Sequence, residues 1–143
     1  MDVAEMVASW SKDPSTKVGA VAVRDRQILA TGYNGFPRGI DDSEERLYNR
    51  PYKYDMTVHA ELNCVMNAQY NGVSLRSADL YVFGLPVCSN CAKALVQVGL
   101  NSIFIRARKK SHTGTDWEED FKTTKRILEE VDIPWYRMHH RND

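Results

Sequence analysis

The order of apolar patterns along the chain constrains the fold more than any other feature. Residues 3–10 have helical spacing (Val3, Met6, Val7, Trp10), stopped by Asp13 and Pro14. Residues 18–23 form a Val/Gly/Ala run that reads as a buried strand. Arg24, Asp25 and Arg26 make a turn, and residues 27–33 read as the returning strand of a hairpin. A turn cluster at residues 34–39 opens a polar loop of about twenty residues, a length that usually goes with function. Helical and strand patterns then alternate. A helix over 58–70 ends at Asn71 and Gly72, and a strand covers 78–83. A helix over 86–98 carries Pro86 in its first turn and Gly99 past its end. A strand over 102–107, a charged amphipathic helix over 116–131 capped by Thr115 and a last strand over 133–138 complete the chain. Strands joined through a helix run parallel with right-handed crossovers. The expectation is therefore α/β: a three-layer α/β/α sandwich around a mixed five-stranded sheet whose first two strands are antiparallel.

The 143 residues are expected to form one domain, 1–143. A chain of this length buries roughly 70% of its unfolded surface and holds a core without staples. Nineteen Lys and Arg balance nineteen Asp and Glu, so no overall basic field exists to hold a long nucleic acid. A small anionic ligand needs only two or three local cations. No apolar run reaches the ~18 residues of a membrane span. The first residues are acidic and lack a hydrophobic signal core, so the expected location is the cytoplasm. Three cysteines, two of them three positions apart, fit a reducing compartment and metal or catalytic thiolates better than disulfides.

Two short segments carry the chemistry: His59, Ala60 and Glu61 at the start of one helix, and Cys88 and Cys91 at the start of the next. Helices that start at the same sheet edge bring their first turns together. A helix N-terminus favours thiolate over thiol. Two thiolates and an imidazole select zinc. Cys64 is rotated off the His59 face and reads as a core residue; His112, His139 and His140 lie in a loop and the tail. Three ligands and one open corner describe a catalytic zinc, one per chain, that lowers the pKa of bound water to ~7. Glu61, two residues from His59, is placed to take that water's proton.

The arrangement His59-Ala60-Glu61 followed by Pro86-Val87-Cys88-Ser89-Asn90-Cys91 resembles the cytidine and deoxycytidylate deaminase superfamily. Val87 departs from the usual pattern, in which Pro adjoins the first Cys, and is expected to reshape the pocket floor. The runs at residues 11–20, 32–37 and 59–63 narrow the likeness to deoxycytidylate (dCMP) deaminases, from about residue 11 to 105. That resemblance implies the deaminase fold, a homo-oligomer (hexamer or dimer), and hydrolysis of dCMP to dUMP and ammonia. It implies attack of zinc-bound hydroxide on C4, with Glu61 shuttling protons. The Ala60 N–H is expected on the pyrimidine carbonyl and Asn34 on the sugar. Candidates for the phosphate are Lys12, Ser15 and Lys17 before the first strand, and Arg106, Arg108, Lys109 and Lys110 after the fourth. Trp117 is a candidate cover for the substrate. Residues 32–37 are similar to a segment through which some relatives are switched by dCTP and dTTP, which makes those nucleotides candidate regulators. Two alternatives stay open: a deaminase of another cytosine nucleotide (dCTP, CMP or a modified dCMP), and a zinc-retaining regulator without catalysis.

Overall fold

In the computed structural model, which describes residues 1–108 and 115–139, the chain opens with helix α1 (Asp2–Ser9) and the hairpin β1 (Gly19–Arg24) and β2 (Gln27–Tyr33). There follow α2 (Glu44–Tyr48), α3 (Arg50–Met56), α4 (Ala60–Tyr70), β3 (Asp79–Gly84), α5 (Ser89–Gln97), β4 (Ser102–Ala107), α6 (Thr115–Glu130) and β5 (Trp135–Arg137). The five strands make one sheet in the order β2-β1-β3-β4-β5. β1 pairs antiparallel with both β2 and β3, and β3, β4 and β5 run parallel. The mixed sheet is the one expected: a tight turn joins β1 to β2, whereas helices return the chain between the later strands.

Alternation along the strands sorts side chains to two faces. Ala20, Ala22, Leu80, Val82, Ile103 and Ile105 pack with Cys64 and Ala68 of α4, Ala92 and Leu95 of α5, and Leu128 of α6. Val21 and Phe83 face α1, where they meet Ala4, Val7 and Ala8. Helices thus cover both faces, as the three-layer reading requires.

Two local expectations are corrected. Residues 38–57 are not a plain loop: α2 and α3 lie within them. The Asn49 side chain accepts from Tyr52 N (3.2 Å) at the start of α3, and Pro51 occupies its first turn, where a missing N–H costs nothing. Lys53 of α3 is buried. These helices escape a periodicity test because they are short and charged at half their positions. The second correction concerns Pro86. It precedes α5 rather than lying in its first turn, and Cys88 is the N-cap.

Candidate metal centre and active site

α4 enters the site under several constraints. Val58 bridges Gly35 in both directions (2.8 and 3.2 Å), tying the entry of α4 to the turn after β2. Asn63 Nδ2 then donates to Tyr33 O (2.8 Å), and Asn67 Nδ2 donates to Thr31 O (2.7 Å). His59 is the N-cap of α4, and Cys88 is the N-cap of α5. The fold therefore places a metal-type donor at the same station of two neighbouring helices.

His59 Nδ1 lies 3.3 Å from Cys88 Sγ and 3.6 Å from Cys91 Sγ. A tetrahedral zinc with Zn–S of about 2.3 Å and Zn–N of about 2.0 Å requires an S···N edge of about 3.5 Å. The donor set fits the ion. Cys91 N donates to Cys88 Sγ (3.4 Å). In the metal-free state the Cys91 thiol and His59 beside Cys88 hold it well below the ordinary thiol range. The same contact pushes the Cys91 thiol up, and the Cys88 sulfur raises the His59 imidazole. With both thiols deprotonated and the imidazole neutral, Cys88, Cys91 and His59 would hold a zinc ion. Among the described residues no fourth His, Cys, Asp or Glu joins the group. Cys64 is fully buried in the main core, as expected of it.

His59 lines a cavity of about 300 Å³. Ala60 and Glu61 line it beside His59. Glu61 is 3% exposed, and burial pushes its carboxyl up from 4.5 to about 7. A carboxyl group tuned to neutrality both takes and returns a proton at working pH. The opposite wall comes from residues 13–18. Asp13 Oδ1 accepts from Ser15 N (2.8 Å), Thr16 N (3.0 Å) and Lys53 Nζ (3.2 Å). Asn34 latches the same segment: its Oδ1 accepts from Val18 N and its Nδ2 donates to Thr16 O, both at 2.8 Å. Gly84, at φ +117°, permits this close approach, because a Cβ there would meet Lys17 O at 2.5 Å.

Of the residues singled out from sequence, Ser15, Asn34, His59, Ala60, Glu61, Arg108 and Trp117 line the cavity, and Cys88 and Cys91 join His59. Lys17 is not in the lining. Lys12 is exposed and pairs with Asp42 at 2.9 Å. Arg106 turns to the α1 side, its Nη1 3.8 Å from Asp2 and 3.9 Å from Glu5. Lys109, Lys110, His112 and His140 lie outside the described residues. Trp117 stacks on His59, ring centroids 6.3 Å apart. Val87 is buried in the main core and does not line the cavity, whereas its neighbour Pro86 does. Sequence reasoning missed Arg50, Lys53 and Tyr54, which line the cavity from α3. Their only signal is an acid at Asp13 and a cation at Lys53, forty positions apart.

Fold and donors together define an α/β zinc-binding domain with an open metal corner beside a buried carboxyl group. Residues 1–107 match the family model for the cytidine and deoxycytidylate deaminase zinc-binding region. The chain belongs to that family, and its cofactor is zinc. An uncharacterized deaminase of Aliivibrio fischeri is 34% identical over 93% of this chain and 88% of its own length. A probable deoxycytidylate deaminase of Drosophila melanogaster is 35% identical, and the human deoxycytidylate deaminase 36%. This chain spans 66% and 63% of those two proteins. The crystal structure of a cyanophage S-TIM5 dCMP deaminase in complex with dCMP and dUMP shares the fold, with a TM-score of 0.73 at 24% identity over 96% of this chain and 92% of that one. No helix of the described residues is long and apolar enough to cross a membrane.

Proposed function

We propose that residues 1–143 act as one deaminase domain that hydrolyses dCMP to dUMP and ammonia. The observation that carries this reading is Glu61: a buried carboxyl group lining the same cavity as His59, whose ring nitrogen lies within metal-sharing distance of Cys88 and Cys91. Zinc in that corner supplies a Lewis acid at which water loses a proton near neutral pH. Glu61 takes a proton from the attacking water, passes it to N3 of the pyrimidine, and then relays a second to the amine that leaves C4. One water is consumed and one ammonia released. The Ala60 N–H, at the first turn of α4, donates to the pyrimidine carbonyl. Asn34 spends one Nδ2 hydrogen on Thr16 O and keeps the other for a sugar hydroxyl. The phosphate falls to Ser15 and Arg108, with Arg50 and Lys53 adding positive charge to the same cavity. Lys17 and Arg106, outside the lining, are left without a part in it.

The named deoxycytidylate deaminases among the relatives support the choice of substrate. Ammonia release is to be measured on dCMP, deoxycytidine, dCTP and CMP. Deoxycytidine is expected to react at least about a hundredfold less efficiently than dCMP, a difference of about 2.7 kcal/mol. Equal kcat/KM values would reassign the chain to nucleosides, and silence on every cytosine nucleotide would favour a non-catalytic binder. Glu61→Gln should keep stoichiometric zinc and lose turnover; activity within about tenfold of the parent, about 1.4 kcal/mol, removes Glu61 from its role. A cytoplasmic homo-oligomer, dimer or hexamer, and switching by dCTP and dTTP belong to the same proposal. Sedimentation and assays with each effector test them.

A further inference from the structure

α6 lies beyond residue 107, where the family match ends, yet one stripe of it grips the turn that carries the metal cysteines. Trp117, Asp120 and Thr124 are spaced three and four apart and so share a helix face. Asp120 accepts two hydrogen bonds from one residue: Ser89 N to Oδ2 at 2.8 Å, and Ser89 Oγ to Oδ1 at 2.6 Å. Ser89 follows Cys88 directly and is the first residue of α5. Thr124, fully buried, donates from Oγ1 to the carbonyl of Val87 at 2.9 Å. The residues on either side of Cys88 are thus both held by α6, and Trp117 lies against His59 from the same stripe.

We propose that Asp120 is a positioning residue for the metal corner: through Ser89 it fixes the Cys88 end of α5, so that Cys88 stays in register with His59. The carboxylate satisfies an N–H at the start of α5 that has no partner within the helix. Because Cys88 is the N-cap of α5, it would otherwise shift with a fraying first turn. Second-layer hydrogen bonds of this kind are worth about 10- to 100-fold in metal affinity. The inference rests on the zinc reading above, and its test separates the two.

Zinc-loaded protein is challenged with a chromophoric chelator, and cobalt-substituted protein is examined by visible absorption. Asp120→Ala is expected to release zinc about 10-fold faster or more and to alter the cobalt ligand-field bands. Asp120→Asn keeps an acceptor oxygen for Ser89 N and is expected to restore most of the retention and the spectrum. Release and spectra within about twofold of the parent for Asp120→Ala would overturn the proposal. So would an Asp120→Asn variant as impaired as the alanine, since charge rather than the hydrogen bond would then be at work. Should Asp120→Ala fail to fold, Ser89→Ala deletes only the hydroxyl half of the contact and carries the test with the same readouts. Parent protein that takes up no zinc would refute the metal reading; zinc-binding parent with an unaltered Asp120→Ala refutes the clamp alone.

Discussion

Gly32 is a position at which one methyl group should do damage that reaches the site. It lies on β2 beneath α4, between Thr31 and Tyr33, whose carbonyls anchor Asn67 and Asn63. A Cβ at Gly32 would sit 2.2 Å from Cys64 N, 2.4 Å from Ala60 O and 2.8 Å from the Asn63 carbonyl carbon. All three are backbone of α4, so no side chain can swing aside. Ordinary contact between carbons is at about 3.5 Å, so α4 has to withdraw by about 1 Å. Overpacking of this kind costs about 1–3 kcal/mol, which lowers the melting temperature of a chain this size by about 3–10 °C. The withdrawal carries His59 and Glu61 with it, and a misplacement of about 1 Å costs about 100-fold in turnover. Gly35→Ala is the control: its nearest neighbour is Tyr33 Cε2 at 3.9 Å, and its cost should stay within about 0.5 kcal/mol. Thermal and urea unfolding, zinc content and kcat on dCMP are to be measured for both variants. If Gly32→Ala matches Gly35→Ala in midpoint and turnover, the close approach of α4 to β2 is not what sets the site.

Two further predictions follow from buried groups. Lys53→Met leaves the Asp13 carboxylate buried without its cation and should cost about 3–5 kcal/mol in urea unfolding, with part regained in the Lys53→Met, Asp13→Asn double variant; a loss confined to about 0.5 kcal/mol would make the pair incidental. Burial pushes the Cys64 thiol from 9.0 up to about 12. Between those values the folded protein binds a proton that the unfolded chain has released, so this stabilisation is present below pH 9 and lost as pH rises toward 12. At pH 8, zinc-stripped native protein should accordingly alkylate at Cys88, whose thiol is held low, and label Cys64 only on unfolding. A label on native Cys64, read by peptide mass, would contradict its burial.

Much of the fold was legible because its elements are apolar and periodic. The Val/Gly/Ala run before residue 24 and the alternating helices and strands after residue 58 pointed to a mixed sheet between two helical layers, and the register bears this out. The metal corner was legible for a different reason. His and Cys are rare, their donor chemistry is specific, and helix starts at one sheet edge converge. What escaped was polar. α2 and α3 are short and charged at half their positions, so hydropathy is silent about them, yet α3 delivers Arg50, Lys53 and Tyr54 to the cavity. Arg106 and Arg108, two positions apart, read alike as cations that an extended chain would send to one face; β4 ends at Ala107, so Arg106 inside the strand turns toward α1 while Arg108, past its end, lines the cavity.

Sequence by itself determined the five strands in chain order, the helices α1, α4, α5 and α6 around them, the three metal donors and the carboxylate beside them, since each depends on residue type and on spacings of a few positions. Tertiary structure alone decided which cations face the ligand, that Asn34 latches residues 16–18, and that Asp120 and Thr124 hold both sides of Cys88. Those contacts join residues sixteen to thirty-seven positions apart through single hydrogen bonds. Such a bond needs a complementary donor and acceptor at one point in space, and no local pattern in the chain records where that point will be.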